Sequence, residues 1–134
     1  MGFTIKQVAE RLGLTAYTLR YYEKEGLLPF VERDYKGNRI FNDQDIEWIM
    51  LICCLRATGM SIGEIKRYVE LCKVGDKTIE SRRQIILQHK YTVEQKIVQM
   101  NDCLARINKK LGCYDEFVKG KGMDCCNPKS RSKR

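Results

Sequence analysis

Thr15-Ala16-Tyr17-Thr18-Leu19-Arg20-Tyr21-Tyr22-Glu23 organises the rest of the chain around it. Thr15 is a residue type that caps helices, and Leu19 and Tyr22 recur at helical spacing, so a short helix starts here with those two facing a core. Upstream, Thr4 caps an earlier helix whose apolar positions Ile5, Val8, Ala9 and Leu12 share one face, and Gly13 ends it. Gly26 and Pro29 stop the second helix. Two short helices joined by a tight, glycine-containing turn make a helix-turn-helix. Its second helix carries Thr15, Ala16, Tyr17, Thr18 and Tyr21 with a single cation among them, Arg20. That mixture suits major-groove base edges and flanking phosphates. The alternative is ordinary packing, with Leu19 and one tyrosine in the core and Arg20 a surface charge.

Downstream, Val31 to Phe41 contains Asp34-Tyr35-Lys36-Gly37-Asn38, turn chemistry between two short β-prone runs. A hairpin wing is expected, with Lys36, Asn38 and Arg39 at or near a tip that reaches phosphate or the minor groove. Asn42-Asp43 caps a third helix through Ala57, closed by Gly59. Ser61 and Glu64 form a capping box for a fourth, with Ile65, Tyr68 and Val69 inward. These elements make a DNA-binding head over residues 1–72, and residues 73–77 form a linker.

From Thr78 to Gly112 a long helix is expected. Ile79, Arg83, Ile86, Lys90, Val93, Ile97, Met100, Leu104, Ile107 and Leu111 follow alternating steps of four and three. Eight of these ten are apolar, which is a coiled-coil seam. Nothing else in the chain is long enough to pair with it, so the expected partner is a second copy by twofold symmetry. The dimer interface is placed at Ile86, Val93, Ile97, Met100, Leu104, Ile107 and Leu111. The competing arrangement is one long helix lying on its own domain. Residues 113–134 form a basic, cysteine-containing tail with little to bury, expected to be mobile.

The 134 residues allow one compact domain plus an extension, and the 43% hydrophobic, 31% charged content fits a folded, helix-rich protein. Lys and Arg number 25 against 17 acids, a net +8 that suggests an anionic partner. The charge is uneven. Residues 1–70 hold ten basic and ten acidic side chains, residues 71–118 carry +3, and residues 119–134 carry +5. DNA binding by the head therefore rests on where Arg20, Lys36 and Arg39 stand, while the tail adds sequence-blind attraction.

No secretory signal opens the chain, and its longest apolar run, Trp48 to Leu55, is far short of a bilayer span. A cytoplasmic protein with no membrane partner is expected. Seven cysteines without export argue for thiol chemistry, metal binding or plain burial over a disulfide framework. No nucleophile–base pair or phosphate-cradling glycine loop is present, so neither catalysis nor a cofactor is expected. His89, the only histidine, is expected to be solvated. A sequence-blind nucleic-acid packaging protein would share the charge without needing a wing. A coiled-coil adaptor or structural protein without regulatory DNA binding would share the seam without the helix-turn-helix.

The run Thr15-x-x-Thr18-Leu19-Arg20-Tyr21-Tyr22-Glu23-x-x-Gly26-Leu27-Leu28-Pro29 resembles the signature of MerR-type transcription regulators. Gly37-Asn38-Arg39-Ile40-Phe41, Asp45-Ile46 and Thr58-Gly59-Met60-Ser61-Ile62-x-Glu64-Ile65-Lys66 continue the likeness. It implies a mainly α protein: a winged helix-turn-helix head of four helices and a hairpin, followed by a long antiparallel dimerisation coiled coil. It further implies a homodimer on promoter DNA with an over-long spacer, which is bent and untwisted to suit RNA polymerase, an indirect partner. Phe41 departs from the pattern, standing where the family usually has Tyr.

Leu51-Ile52-Cys53-Cys54-Leu55-Arg56 and Gly75-Asp76-Lys77-Thr78-Ile79-Glu80 resemble the AdhR/NmlR branch, which answers aldehydes and nitrosothiols. The resemblance implies Cys54 as sensor. Against it, the apolar run around Cys53 and Cys54 suits inert core residues, and a helix C-terminus disfavours a thiolate. Arg56 or a residue of the partner coil is the cation Cys54 needs. A metal-responsive reading is the alternative, since metal-sensing relatives place cysteines at the coil end and the following loop. Cys113, Cys125 and Cys126 occupy that region. Glu80 or a neighbour, rather than Cys, stands where mercury-responsive members place a ligand, and Cys72 and Cys103 fit neither site.

Overall fold

The computed structural model describes residues 2–120. Helix α1 spans Ile5–Leu12 and α2 spans Ala16–Lys24. Strands β1 (Glu32–Arg33) and β2 (Arg39–Ile40) pair antiparallel, and helices α3 (Asp43–Ala57), α4 (Ile62–Val74) and α5 (Ile79–Val118) follow. A single 3-10 turn over Asp76–Thr78 joins α4 to α5. The protein is mainly helical, with one two-stranded hairpin.

The caps read from sequence are in place. Thr4 and Gln7 exchange bonds in a capping box, with Thr4 N donating to Gln7 at 2.8 Å. Gly13 ends α1 at φ +67, a left-handed turn that costs glycine least, and Leu14 N donates back to Ala9 O at 2.9 Å. Asn42 caps α3, its box partner being the buried Asp45. Ser61 and Glu64 close the box on α4.

The described residues fall into two compact units that divide between His89 and Lys90. In the first, Val8, Leu19, Tyr22, Leu27, Phe41, Ile49, Ile52, Ile65 and Val69 form one core. Phe41 is fully enclosed, and its backbone pairs with Phe3 through N–H···O bonds of 2.7 and 2.9 Å. A bare ring suits that site, because a phenol there would bring a hydroxyl needing a buried partner. Trp48 stacks on Tyr68 and meets Phe30 edge-on, and its indole N–H donates to Leu27 O at 2.7 Å.

The first unit also takes in the opening of α5. Ile85 and Ile86 pack against the core, so Ile86, read as a seam position, is half-buried within its own unit. His89 is half-buried as well, where solvation was expected: its Nε2 lies 2.7 Å from Thr58 Oγ1 at the C-cap of α3. Periodicity on α5 alone could not show this, because the contact is made by a residue 31 positions away.

In the second unit, α5 runs past Gly112 and through Cys113 to Val118, so six residues assigned to the tail are helical. No residue of α5 is buried. Val93 is half-buried, while Ile97, Met100, Leu104, Ile107 and Leu111 are exposed, Met100 at 75%. No helix among the described residues is long and apolar enough to cross a membrane.

Candidate nucleic-acid interface

Helix α2 is positioned by its core residues Leu19 and Tyr22, which turn its remaining faces outward. Thr15 Oγ1 accepts from Thr18 N at 3.0 Å, and the two hydroxyls lie 2.9 Å apart, so the cap ties up part of each threonine's polar capacity. Ala16 and Thr18 are half-buried. Tyr17, Arg20 and Tyr21 are exposed, and Arg20 makes no ion pair among the described residues.

The wing is braced onto this helix through Glu23. Its Oε1 accepts from Arg39 Nε at 2.6 Å and from Arg33 Nη2 at 3.1 Å. Arg33 and Arg39 are cross-strand partners, a like-charge pair that would repel without an anion between them. Arg33 also donates to Gly37 O at 2.7 Å. Asp34 Oδ1 accepts from Lys36 N and Asn38 N, both at 2.9 Å, and Gly37 turns the chain at φ +83. This tip holds Lys36 outward, its ammonium 5.6 Å from the centre of the Tyr35 ring, which is 92% exposed.

Arg20, Asn38 and Arg39 come together along one groove of about 500 Å³, which Gly2, Thr4 and Ile40 also line. Arg39 enters it as half of an ion pair, whereas Arg20 pairs with no acid among the described residues. Glu23, Arg33 and Tyr35 were not read as functional from sequence. The hairpin register carried the missing signal, since pairing Arg33 with Arg39 demands a nearby carboxylate and Glu23 follows Leu19 by one helical turn.

The α3 cysteines separate by face. Cys53 is half-buried beside Leu14, Tyr22 and Arg56, and burial, then the neighbouring Cys54, pushes its thiol up. Cys54 is exposed on an outer stripe with Met50, which does not fit the competing reading of an inert core filler. An all-apolar helix carries no polar face to mark which side is outward. Arg56, offered as its cation, donates to Met60 O at 3.4 Å. The Cys54 carbonyl accepts the Thr58 hydroxyl at 2.6 Å, which leaves the His89 Nε2–H to donate to Thr58.

Among the described residues, no three His, Cys, Asp or Glu side chains converge to hold a metal ion. Cys113 is half-buried on α5 and Glu80 pairs with Arg83 at 3.4 Å, while Cys125 and Cys126 lie outside the described residues.

Residues 3–72 match the family model described as MerR HTH family regulatory protein, and residues 46–109 match the one described as MerR, DNA binding. An uncharacterised HTH-type transcriptional regulator of Haemophilus influenzae is 43% identical over 116 residues, 87% of this chain and 86% of that one. The regulator AdhR of Bacillus subtilis is 48% identical over 82 residues, 61% of this chain and 59% of its own. Among solved structures, HiNmlR, a MerR family regulator lacking the sensor domain and bound to promoter DNA, is 42% identical with a TM-score of 0.83. That alignment covers 90% of this chain and 97% of HiNmlR. A MerR family regulator from Bacillus thuringiensis is 39% identical with a TM-score of 0.78, covering 84% and 98%. A helix-turn-helix with its wing braced to the second helix, together with family models covering more than half the chain, places this protein in the MerR family of DNA-binding transcriptional regulators.

Proposed function

We propose that the chain acts as a homodimer that grips promoter DNA with two heads, distorts an over-long spacer, and responds to small electrophiles through Cys54. The observation that carries DNA recognition is the single groove shared by Arg20, Asn38 and Arg39, with Lys36 on the same wing. Arg20 has no ion-pair partner of its own among the described residues, so its charge is available to phosphate or guanine. Binding of promoter DNA by HiNmlR supports the same partner here.

Thr15, Ala16, Tyr17, Thr18 and Tyr21 are the base- and backbone-facing set of α2. Dimerisation uses the exposed Ile97, Met100, Leu104, Ile107 and Leu111 with Val93 and Ile86. Residues 1–72 form the head, 73–77 the linker and 78–112 the coil of this scheme. RNA polymerase is engaged indirectly, through the reshaped promoter. Cys54 is exposed in the single chain, and its carbonyl is linked through Thr58 to His89 at the start of α5. An adduct on its sulfur therefore acts on a helix end already joined to that element.

In vitro transcription with footprinting tests the scheme. The expected result is a short pseudo-palindromic footprint with hypersensitive central bases, and formaldehyde-dependent transcription that Cys54→Ser abolishes. Uniform protection without hypersensitivity sinks the DNA-distortion reading, and a normal formaldehyde response from Cys54→Ser sinks the sensor reading.

A further inference from the structure

Between the helix-turn-helix and the end of α3 lies a cavity of about 490 Å³, lined by Leu14, Tyr22, Cys53, Arg56 and Ala57. It shares no lining residue with the groove of Arg20 and Arg39, and Cys54 is not among its walls. Leu14 comes from the turn before α2, Tyr22 from α2 itself, and the other three from the C-terminal end of α3. Its polar side chains are all donors. Burial first, then Cys53, push the Tyr22 phenol up, and burial likewise raises the Cys53 thiol, so both keep their protons at neutral pH. The Arg56 charge pulls the phenol the other way, which puts the guanidinium within electrostatic reach of it.

These donors are not used up within the chain. Among the described residues the Tyr22 hydroxyl has no hydrogen-bond partner, and no side-chain oxygen without one is sealed from solvent, so it opens to the cavity. Arg56 is exposed and forms no ion pair among the described residues. Its guanidinium makes one hydrogen bond there, from Nη1 to Met60 O at 3.4 Å, which leaves Nε and Nη2 uncommitted. No carboxylate lines the cavity. The carbonyls that end α3 would repel an anion if they were bare. They are engaged instead: Cys54 O accepts from the Thr58 hydroxyl, Leu55 O from Met60 N at 2.9 Å, and Arg56 O from Gly59 N at 3.2 Å.

We propose that this cavity binds a small monocarboxylate with an apolar body. The carboxylate sits on the Arg56 guanidinium and the Tyr22 hydroxyl, and the hydrocarbon part lies against Leu14 and Ala57. Small-molecule sites run to roughly 300–1,000 Å³, so the space suffices. A planar guanidinium meets a carboxylate with two parallel N–H···O bonds, which a neutral isostere cannot satisfy. The choice of an acid over a neutral ligand rests on the donor-only wall, and the choice of one charge on the single cation. Tyr22 and Arg56 stand on different helices, so an occupied cavity ties the recognition helix to α3 through the ligand.

The test uses the full chain, isotope-labelled and followed by NMR at fixed ionic strength, with benzoate as probe. Benzamide is the neutral isostere and chloride the plain anion. Benzoate is expected to shift the resonances of Leu14, Tyr22, Cys53 and Ala57 to saturation, with benzamide about tenfold weaker and chloride without effect at these positions. Arg56→Gln is expected to weaken benzoate about tenfold, and Arg56→Lys to recover part of that loss. Tyr22→Phe, which deletes only a hydroxyl, is expected to weaken it by a smaller factor. The spectrum of each variant reports its fold directly, and Arg56, being exposed, can be replaced without disturbing the core. No saturable shift, equal affinity for benzamide, shifts centred on Arg20, or unchanged binding by Arg56→Gln overturns the proposal. None of these outcomes bears on Cys54, so the electrophile reading stands or falls separately.

Discussion

Arg20 and Glu23 are three residues apart on one helix, the spacing at which opposite charges ordinarily pair. They do not: Glu23 Oε1 accepts from Arg39 and Arg33 instead, across the wing. Among the described residues Arg20 therefore stands without an acidic partner on α2. Arg20→Ala is expected to weaken promoter binding and to lower the salt dependence of log K by about one counterion, measured by fluorescence anisotropy across a salt series. An unchanged slope would place Arg20 off the DNA. Glu23 was legible as part of a motif but not as a bracket, since its partners lie 10 and 16 residues away and meet it only once the hairpin closes.

Among the elements, α3 is legible in extent and not in orientation. Asn42 and Asp45 announce its start, and the capping box forms as their types require. Asn42→Ala is expected to cost about 1 kcal/mol of head stability, measured by chemical denaturation with the slope unchanged. From Trp48 to Leu55 every residue is apolar, so no polar stripe marks the outer face. Ile49, Ile52 and Leu55 are buried while Met50 and Cys54 look outward, a division made by packing against α4 and the other head helices and not by α3's own pattern. The apolar stripe of α5 is legible for the opposite reason. Its apolar positions stand among Lys, Gln, Asn and Arg, and the contrast is the signal.

For the molecule as a whole, the exposed α5 seam is an apolar strip that a single chain leaves uncovered, of the kind that marks an interaction site. Leu104→Glu is expected to shift the protein from dimer to monomer in sedimentation velocity while leaving the helical circular dichroism of the head in place. A dimer that survives this change would move the interface off the seam. The whole-chain charge was the least informative feature of the sequence. It assigns +8 to a chain whose residues 1–70 are neutral, and says nothing of the groove that Arg20 and Arg39 share or of the wing that carries Lys36.

Glu23 also sets a length. By tying both strands of the hairpin to the end of α2, it makes the distance from Arg20 to Lys36 an internal dimension of the protein, as the opening of a caliper is fixed by its screw. When two bodies of unequal stiffness are pressed together, the softer one yields. Bending a short stretch of duplex costs on the order of 1–6 kcal/mol, whereas widening this gauge means pulling two guanidinium groups off one carboxylate oxygen. Under the proposed function, a wing held at a fixed reach asks the duplex for part of the adjustment, and the cost then depends on how readily each sequence deforms.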